Sequence, residues 1–190
     1  IMDIIKKGYN YGYSFLKISF IFLLRFFYKD YTEKRKSLED NRENYIENIN
    51  ALFGCCSHII DNVYLGSSFN ASNEDLLKNL KIKRIVNISY DIPNYYEDNI
   101  EYFYLKMKDD GIDEYTKEDL DKIIEFIKKN NENVLIHCMM GRSRSATVIL
   151  YYLIKIHNMS LDSSIEYLIS KRYVVNPSIK FIENLKNILN

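Results

Sequence analysis

The sequence lacks a net charge and has few of the residues that build disulfide frameworks. Its 26 lysines and arginines balance 26 aspartates and glutamates, so no overall basic field attracts nucleic acid or an anionic membrane. Its three cysteines, Cys55, Cys56 and Cys138, are too few to staple a small secreted domain. We therefore expect an intracellular, cytoplasmic protein without a nucleic-acid partner.

Histidine is equally scarce, which bears on metal binding. His58 and His157 are isolated, and no second histidine, cysteine or carboxylate stands at metal-ligand spacing from His137. We expect neither a metal nor another cofactor.

No apolar run reaches the ~20 residues that a clean transmembrane helix needs. The most apolar stretch, residues 15–28, is shorter and contains Lys17 and Arg25. Two interpretations of residues 12–28 stay open: a helix in the membrane interface, with both cations reaching water, or an accessory helix packed on the domain. Residues 30–50 are charge-rich and predict an exposed helix or linker. We therefore divide the chain into an amino-terminal extension, residues 1–56, and a folded domain, residues 57–190.

Strand and helix patterns alternate from residue 57 onward. Alternating or β-branched runs predict strands at 59–65, 82–88, 102–107 and 133–137, the last typical of the buried centre of a parallel sheet. Helical spacing and capping residues predict a short helix with Ser72 as its N-cap and a helix that begins at the Thr116–Asp119 capping box. They also predict helices over 145–157, 160–171 with Ser160 as N-cap, and 178–189. The alternation predicts an α/β fold in which helices flank a central, mostly parallel sheet.

The segment 134–147, VLIHCMMGRSRSAT, contains the residues that indicate chemistry. A buried strand ends at Cys138, a loop with Gly141 follows, and a helix begins near Arg144. The N–H groups of such a loop and the positive end of the helix bind anions and favour a thiolate. An arginine can bind two phosphate oxygens at once and stabilise transition-state charge. The segment predicts that Cys138 is a nucleophile and that Arg144 holds the phosphate, with His137 orienting the cysteine.

The run HCMMGRSRS resembles the HCxxGxxRS signature of the protein tyrosine phosphatase superfamily, and its Ser-Arg-Ser ending resembles the dual-specificity branch. Three other stretches are similar to that branch: DNVYLGS at 61–67, LKNLKIKRIVNIS at 77–89 and RYVVNPSIKFIENL at 172–185. The resemblance covers residues 57–190 and implies a dual-specificity phosphatase catalytic domain with a phosphatase-type fold.

The resemblance also implies residue roles and a substrate. In that family the cysteine forms a phosphocysteine, the arginine holds the transferring group, and the next serine assists breakdown of the intermediate. By position these are Cys138, Arg144 and Ser145. The substrate would be a phosphoprotein carrying phosphotyrosine, phosphoserine or phosphothreonine. The implied phosphate-binding loop comprises Met139, Met140, Gly141, Arg142, Ser143 and Arg144.

The family places a general acid on the loop before the helix that precedes the cysteine strand. Here that loop is KDDGIDEY, and it offers Asp109, Asp110 and Asp113. Counting back from the helix favours Asp110, whereas counting forward from the strand favours Asp109. We choose Asp110, because Asp-Asp-Gly is similar to the loop of relatives in which the second aspartate acts, and keep Asp109 as the alternative.

Two other functions remain as alternatives. GRSRSAT is also similar to the loop of phosphatases that hydrolyse phosphatidylglycerol phosphate, and an apolar amino-terminal stretch would suit a lipid substrate. Met139 and Met140 stand where polyphosphoinositide phosphatases carry lysine, which argues against that headgroup. The other alternative is a phosphopeptide-binding pseudophosphatase, although such proteins typically lose the cysteine or arginine that this chain keeps.

Cys55 and Cys56 have three interpretations. They could be acylated, they could supply a resolving thiol for oxidised Cys138, or they are small buried hydrophobic residues. The third is the ordinary role of a non-catalytic cysteine and is our expectation.

Overall fold

The computed structural model describes residues 49–110 and 112–190. The apolar stretch predicted at residues 12–28 and nearly all of the charged stretch at 30–50 lie outside these residues. Within the described ranges, no helix combines the length and the apolar character needed to cross a membrane.

The described residues form one five-stranded sheet, with the strand order β1-β2-β5-β3-β4. Only the β1–β2 pair is antiparallel, and β2, β5, β3 and β4 run parallel. This arrangement confirms the predicted fold class. The strands are β1 Ser57–Ile60, β2 Val63–Gly66, β3 Ile82–Asn87, β4 Glu101–Tyr104 and β5 Asn133–His137.

The prediction of a single strand over residues 59–65 is wrong. The chain turns at Asp61 and Asn62, so the run is split into β1 and β2 of a hairpin. Asp61 adopts a left-handed backbone conformation with φ of 49°. Aspartate tolerates this region better than most residues, and Asp-Asn was the turn signal inside the apolar run.

The described residues form six α-helices, five of which begin at a side-chain N-cap. They are α1 Ser68–Ala71, α2 Glu74–Asn79, α3 Lys117–Lys128, α4 Arg144–His157, α5 Leu161–Lys171 and α6 Ile179–Leu189. The capping box of Thr116 and Asp119 is confirmed, as is the N-cap role of Ser160. The cap assigned to Ser72 is wrong, because the side chain of Asn73 accepts the hydrogen bond from Leu76 N–H.

The sheet separates two apolar clusters because side chains alternate along each strand. Val134 and Ile136 of β5 face the larger cluster, which includes residues of α3, α4, α5 and α6. Leu135, between them, faces the smaller cluster with Ala71 of α1 and Leu77 of α2. Burial on both faces fixes the register of β5 and therefore the place where the following loop begins.

A π-helical turn, Asn50–Gly54, precedes β1 and packs against the domain. Leu52 in this turn is buried, and its carbonyl accepts a hydrogen bond from the Ser67 hydroxyl. The ring of Phe53 contacts that of Phe69, with centroids 4.6 Å apart. The boundary predicted at residue 57 stays a prediction, but the described residues before it contact the sheet-and-helix unit that follows.

Candidate active site

Residues 138–144, the Cys138 loop, connect β5 to α4 at the carboxyl edge of the parallel strands. In the register of the sheet, His137 at the end of β5 lies opposite Asn87 at the end of β3 and Gly66 at the end of β2. Crevices at this edge are where open α/β sheets bind ligands. The loop begins where the buried strand stops and ends where a helix N-terminus starts, as the sequence predicted.

The backbone carbonyls of the Cys138 loop all accept hydrogen bonds from groups outside it. Because a trans peptide directs its N–H opposite to its C=O, these bonds leave the loop N–H groups turned towards the interior of the loop. The loop therefore forms a cradle for an anion. In the following pairs the donor stands first and the residue whose carbonyl accepts stands second: His137 Nδ1 and Cys138, Ser68 N–H and Met139, Arg172 with both Met140 and Gly141, Asn176 N–H and Arg142, Thr147 N–H and Ser143, and Tyr115 Oη–H and Arg144.

Gly141 lets the loop approach β2 more closely than any side chain would allow. Its φ of 65° lies in the left-handed region, and a Cβ there would stand 2.3 Å from the Gly66 carbonyl oxygen. Only glycine meets both requirements without strain.

The Cys138 thiol is 1% exposed and is set up to ionise. Burial opposes the charged form, but the Arg144 guanidinium, the Ser145 hydroxyl and the N–H groups of Ser145 and Arg142 outweigh it and lower the pKa of Cys138. The Ser145 hydroxyl lies 3.2 Å from Sγ. A thiolate is the reactive form of cysteine, so this sulfur can act as a nucleophile near neutral pH.

His137 is fully buried beneath the loop. Desolvation by burial lowers its pKa to about 4, so the imidazole is neutral at pH 7. Its Nδ1 lies 3.2 Å from the Cys138 carbonyl oxygen. These contacts suit the expected role in orienting the cysteine. Across residues 49–110 and 112–190, no group of three or more histidine, cysteine or carboxylate side chains could hold a metal ion.

Arg144 opens α4 and is 6% exposed. Its Nη1 donates to the Met107 carbonyl at 2.9 Å, which fixes the guanidinium. Its Nε makes no hydrogen bond among the described residues, and the Asp109 carboxylate faces it at 3.5 Å. A buried guanidinium that already has one anionic neighbour and keeps unused N–H groups suits binding of an oxyanion.

The three aspartates of the KDDGIDEY loop have different surroundings. Asp109 reaches the Cys138 loop: Oδ1 accepts from the Ser143 hydroxyl at 3.1 Å, and Oδ2 lies 3.5 Å from Arg144 Nε.

Asp110 is exposed and accepts from Ile112 N–H at 3.0 Å, a hydrogen bond that holds its pKa below the usual value. Asp113 accepts from Lys108 N–H at 2.7 Å, which closes the loop on itself. Of the two candidates left by the sequence, only Asp109 contacts the cleft here.

The remaining loop residues contribute mainly through the backbone. Met139, Met140 and Arg142 are half-buried, whereas Ser143 is buried. Arg142 Nε donates to the Val174 carbonyl at 3.0 Å. The Ser143 hydroxyl accepts from Ser178 N–H at 3.3 Å while it donates to Asp109. Ser143 therefore connects the Cys138 loop both to α6 and to the aspartate-bearing loop.

Sequence reasoning missed two side chains that hold the Cys138 loop. Tyr115 is buried beside it and donates to the Arg144 carbonyl at 2.7 Å, and burial keeps its pKa well above 10. Arg172 is 2% exposed and donates to two loop carbonyls. Arg172 opens the stretch RYVVNPSIKFIENL, whose resemblance to the family was the available signal, but no partner could be read from the sequence.

Cys56 is buried, and burial raises the pKa of its thiol to about 12. A thiol that stays protonated is a poor nucleophile towards an oxidised cysteine. The expectation of a small buried hydrophobic residue is confirmed for Cys56 and is wrong for Cys55, whose side chain is exposed.

The family model for the dual specificity phosphatase catalytic domain matches residues 63–190. Human dual specificity protein phosphatase 1 is 33% identical over 130 residues, which is 67% of this chain and 35% of that protein. A probable rhodanese domain-containing dual specificity protein phosphatase of Dictyostelium discoideum is 37% identical over 132 residues, 68% of this chain and 28% of that protein. The chain thus spans only about a third of the length of these relatives.

The fold is similar to solved structures of the same kind. The crystal structure of DUSP15 superimposes with a TM-score of 0.65 at 25% identity, covering 70% of this chain and 85% of that one. That of human DUSP28(Y102H) gives 0.66 at 23% identity, covering 70% and 93%. The matched family model and the sequence relatives show the family, and the Cys138 loop and the solved structures agree with it. The chain belongs to the dual-specificity branch of the cysteine-based protein tyrosine phosphatases.

Proposed function

We propose that this chain is a dual-specificity protein phosphatase that hydrolyses phosphotyrosine and phosphoserine or phosphothreonine through a phosphocysteine intermediate. The observation that carries the proposal is the buried Cys138 sulfur, which lies 3.2 Å from the Ser145 hydroxyl inside a loop whose carbonyls all accept hydrogen bonds from groups outside it. A phosphate dianion fits such a cradle because N–H groups, a helix N-terminus and a guanidinium converge there.

The first step is attack of the Cys138 sulfur on phosphorus. An S–P bond forms while the P–O bond to the tyrosine, serine or threonine breaks. Arg144 binds the equatorial oxygens through the guanidinium N–H groups that its bond to the Met107 carbonyl leaves unused. Its positive charge offsets the charge that spreads over the transferring group.

The leaving oxygen must receive a proton, because an alkoxide is a poor leaving group. Asp109 is the better-supported donor of the two candidates, since its carboxyl group already touches Ser143 and Arg144 at the mouth of the loop. Asp110 is exposed and accepts a hydrogen bond from Ile112 N–H of its own loop, so in this loop conformation the geometric support is for Asp109.

The second step is hydrolysis of the phosphocysteine. The carboxylate formed in the first step takes a proton from water, the oxygen of that water attacks phosphorus, and the S–P bond breaks. Inorganic phosphate leaves, and the thiolate is restored. The Ser145 hydroxyl, 3.2 Å from Sγ, stabilises the departing sulfur by hydrogen bonding.

The substrate class is tested by phosphate release from three substrates presented to the full chain without added metal: a phosphotyrosine peptide, its phosphothreonine counterpart, and dispersed phosphatidylglycerol phosphate. Turnover of both peptides well above that of the lipid is expected. Turnover of the lipid alone would overturn the protein-phosphatase proposal in favour of a lipid phosphatase. Binding of peptides without phosphate release would favour a phosphopeptide-binding module.

A further inference from the structure

Arg172, just after α5, lies behind the Cys138 loop and is almost completely buried. Its Nε donates to the Gly141 carbonyl at 3.1 Å and its Nη2 to the Met140 carbonyl at 3.3 Å. On its other side, Nη2 donates to the Ala51 carbonyl at 2.6 Å and Nη1 to the Ser57 hydroxyl at 3.3 Å. One guanidinium therefore joins the loop to the turn that precedes β1.

This cation has no carboxylate partner among the residues that the structure describes, and an unpaired buried charge is costly. Burial lowers the pKa of Arg172, and negative charge at Cys56 or, to a smaller extent, at Cys138 opposes that effect. The thiol of Cys56 stays protonated, because burial raises its pKa to about 12. Negative charge on the other side of the loop, at Cys138 or on an oxyanion ligand, would therefore offset the charge of Arg172.

We propose that Arg172 is a positioning residue that holds the Met140 and Gly141 carbonyls outward, and that the turn Asn50–Gly54 completes its site, so that residues before β1 tune phosphate affinity. The inference rests on the proposed function, because it assumes that phosphate is the ligand of the loop. Arg172 itself touches neither phosphate nor sulfur.

The turn contributes because it shields and engages the outer side of the guanidinium. It is held by the buried side chain of Leu52 and by the bond from the Ser67 hydroxyl to the Leu52 carbonyl. Loss of this anchor would expose Arg172 to water and free the Nη2 group that Ala51 engages. The guanidinium would then hold the two loop carbonyls less firmly.

The test uses inorganic phosphate as the probe, in the full chain. Phosphate in the loop should protect Cys138 from alkylation by iodoacetamide, and the concentration dependence gives its dissociation constant without any turnover. Arg172→Lys keeps the charge but cannot span the loop carbonyls and Ala51 together. We expect phosphate to bind about tenfold more weakly or worse, as the loss of two charge-assisted hydrogen bonds implies.

Leu52→Ala tests the turn independently and keeps the inference testable if Arg172→Lys does not fold. The matched control is Ile127→Ala, which removes an equally buried aliphatic side chain from the carboxyl-terminal end of α3. Both variants should lose thermal stability, but only Leu52→Ala should weaken phosphate binding. Equal phosphate affinity in the two would overturn the role of the turn. Unchanged phosphate affinity in a folded Arg172→Lys protein would overturn the role of Arg172.

The outcomes also separate this inference from the proposed function. If phosphate protects Cys138 in the wild type but no peptide is hydrolysed, the phosphatase proposal fails and the positioning role can still be measured. If phosphate gives the wild type no protection, both are overturned.

Discussion

The Asp109 carboxylate lies 3.5 Å from Nε of Arg144 and accepts a hydrogen bond from the Ser143 hydroxyl at 3.1 Å. These contacts bring the aspartate-bearing loop onto the Cys138 loop, and the bond from Arg144 to the Met107 carbonyl adds a backbone link beside them. A carboxyl group is thereby held beside Arg144 and Ser143 of the Cys138 loop.

The first prediction separates the two aspartates with the matched pair Asp109→Asn and Asp110→Asn. Asp109→Asn should lower kcat by about 10²- to 10³-fold on alkyl or phenyl phosphates, because these leaving groups need a proton. The loss should be much smaller on p-nitrophenyl phosphate, whose leaving group departs without help. Asp110→Asn should stay within a few-fold of wild type, as the ordinary behaviour of an exposed side chain implies.

The steady-state rates across such a leaving-group series decide between the candidates. If Asp110→Asn shows the leaving-group dependence and Asp109→Asn does not, Asp110 is the general acid, as counting back from the helix predicted. The loop would then have to rearrange when substrate binds.

The second prediction concerns the ionisation of Cys138. Ser145→Ala removes a hydroxyl that stabilises the thiolate, so the pKa of Cys138 should rise. Because the thiolate is the reactive form, the ascending limb of the pH profile of kcat/KM should move to higher pH. The same displacement should appear in the pH dependence of alkylation by iodoacetamide. An unchanged midpoint in both measurements would mean that the hydroxyl does not act on the sulfur.

The third prediction is a pH dependence of stability caused by His137. Its pKa is about 4 in the folded protein, against 6.5 for an ordinary histidine, so the unfolded chain binds the extra proton first as the pH falls. The contribution of His137 is complete above pH 6.5 and is lost as the pH falls towards 4, a total of about 3 kcal/mol.

Denaturant unfolding of the wild type and of His137→Gln at several pH values measures the contribution of His137 to the free energy of unfolding. The glutamine variant should be less sensitive to pH between 6.5 and 4, whatever its stability at pH 7. Parallel curves for the two proteins would rule out the buried neutral histidine.

Sequence reasoning was most reliable where the signal was local. The cap at Ser160, the Thr116–Asp119 box and the strand at 133–137 each depend on neighbouring residues, and the structure contains all three. The hairpin at Asp61 was missed because β-branched residues on both sides of the turn read as one continuous strand.

Contacts between distant residues could not be read in the same way. Arg172 meets Gly141 and Ala51 only in the folded chain, and the same is true of Arg84, whose buried guanidinium donates to carbonyls that follow α3. The ambiguity between Asp109 and Asp110 has a similar origin. Counting residues forward from the strand and counting them back from the helix gave positions that differ by one residue. Only the packing of the loop decides which of the two aspartates contacts the Cys138 loop.

The fourth prediction tests the close approach of Gly141 to β2. Gly141→Ala places a Cβ against the Gly66 carbonyl at a residue with φ of 65°, so the loop must move. We expect a loss of about 1–3 kcal/mol of stability and a large loss of phosphate binding, because the N–H groups of the cradle are displaced.

Gly54→Ala is the matched control. Its added Cβ would meet no atom closer than 3.7 Å, so the thermal stability of this variant should stay near wild type. Thermal unfolding and phosphate protection of Cys138 measure both effects. A Gly141→Ala protein that binds phosphate normally would show that the close approach is dispensable.

The central claim is that phosphate passes through the sulfur of Cys138. The most direct measurement is rapid denaturation of the enzyme in alkaline detergent during turnover of a phosphotyrosine peptide labelled with radioactive phosphate, followed by isolation of the protein. The account predicts label on Cys138 in the wild type that survives alkali and is lost in acid, as expected of an S–P bond, and neither label nor turnover with Cys138→Ser. Turnover that persists in Cys138→Ser would contradict the account.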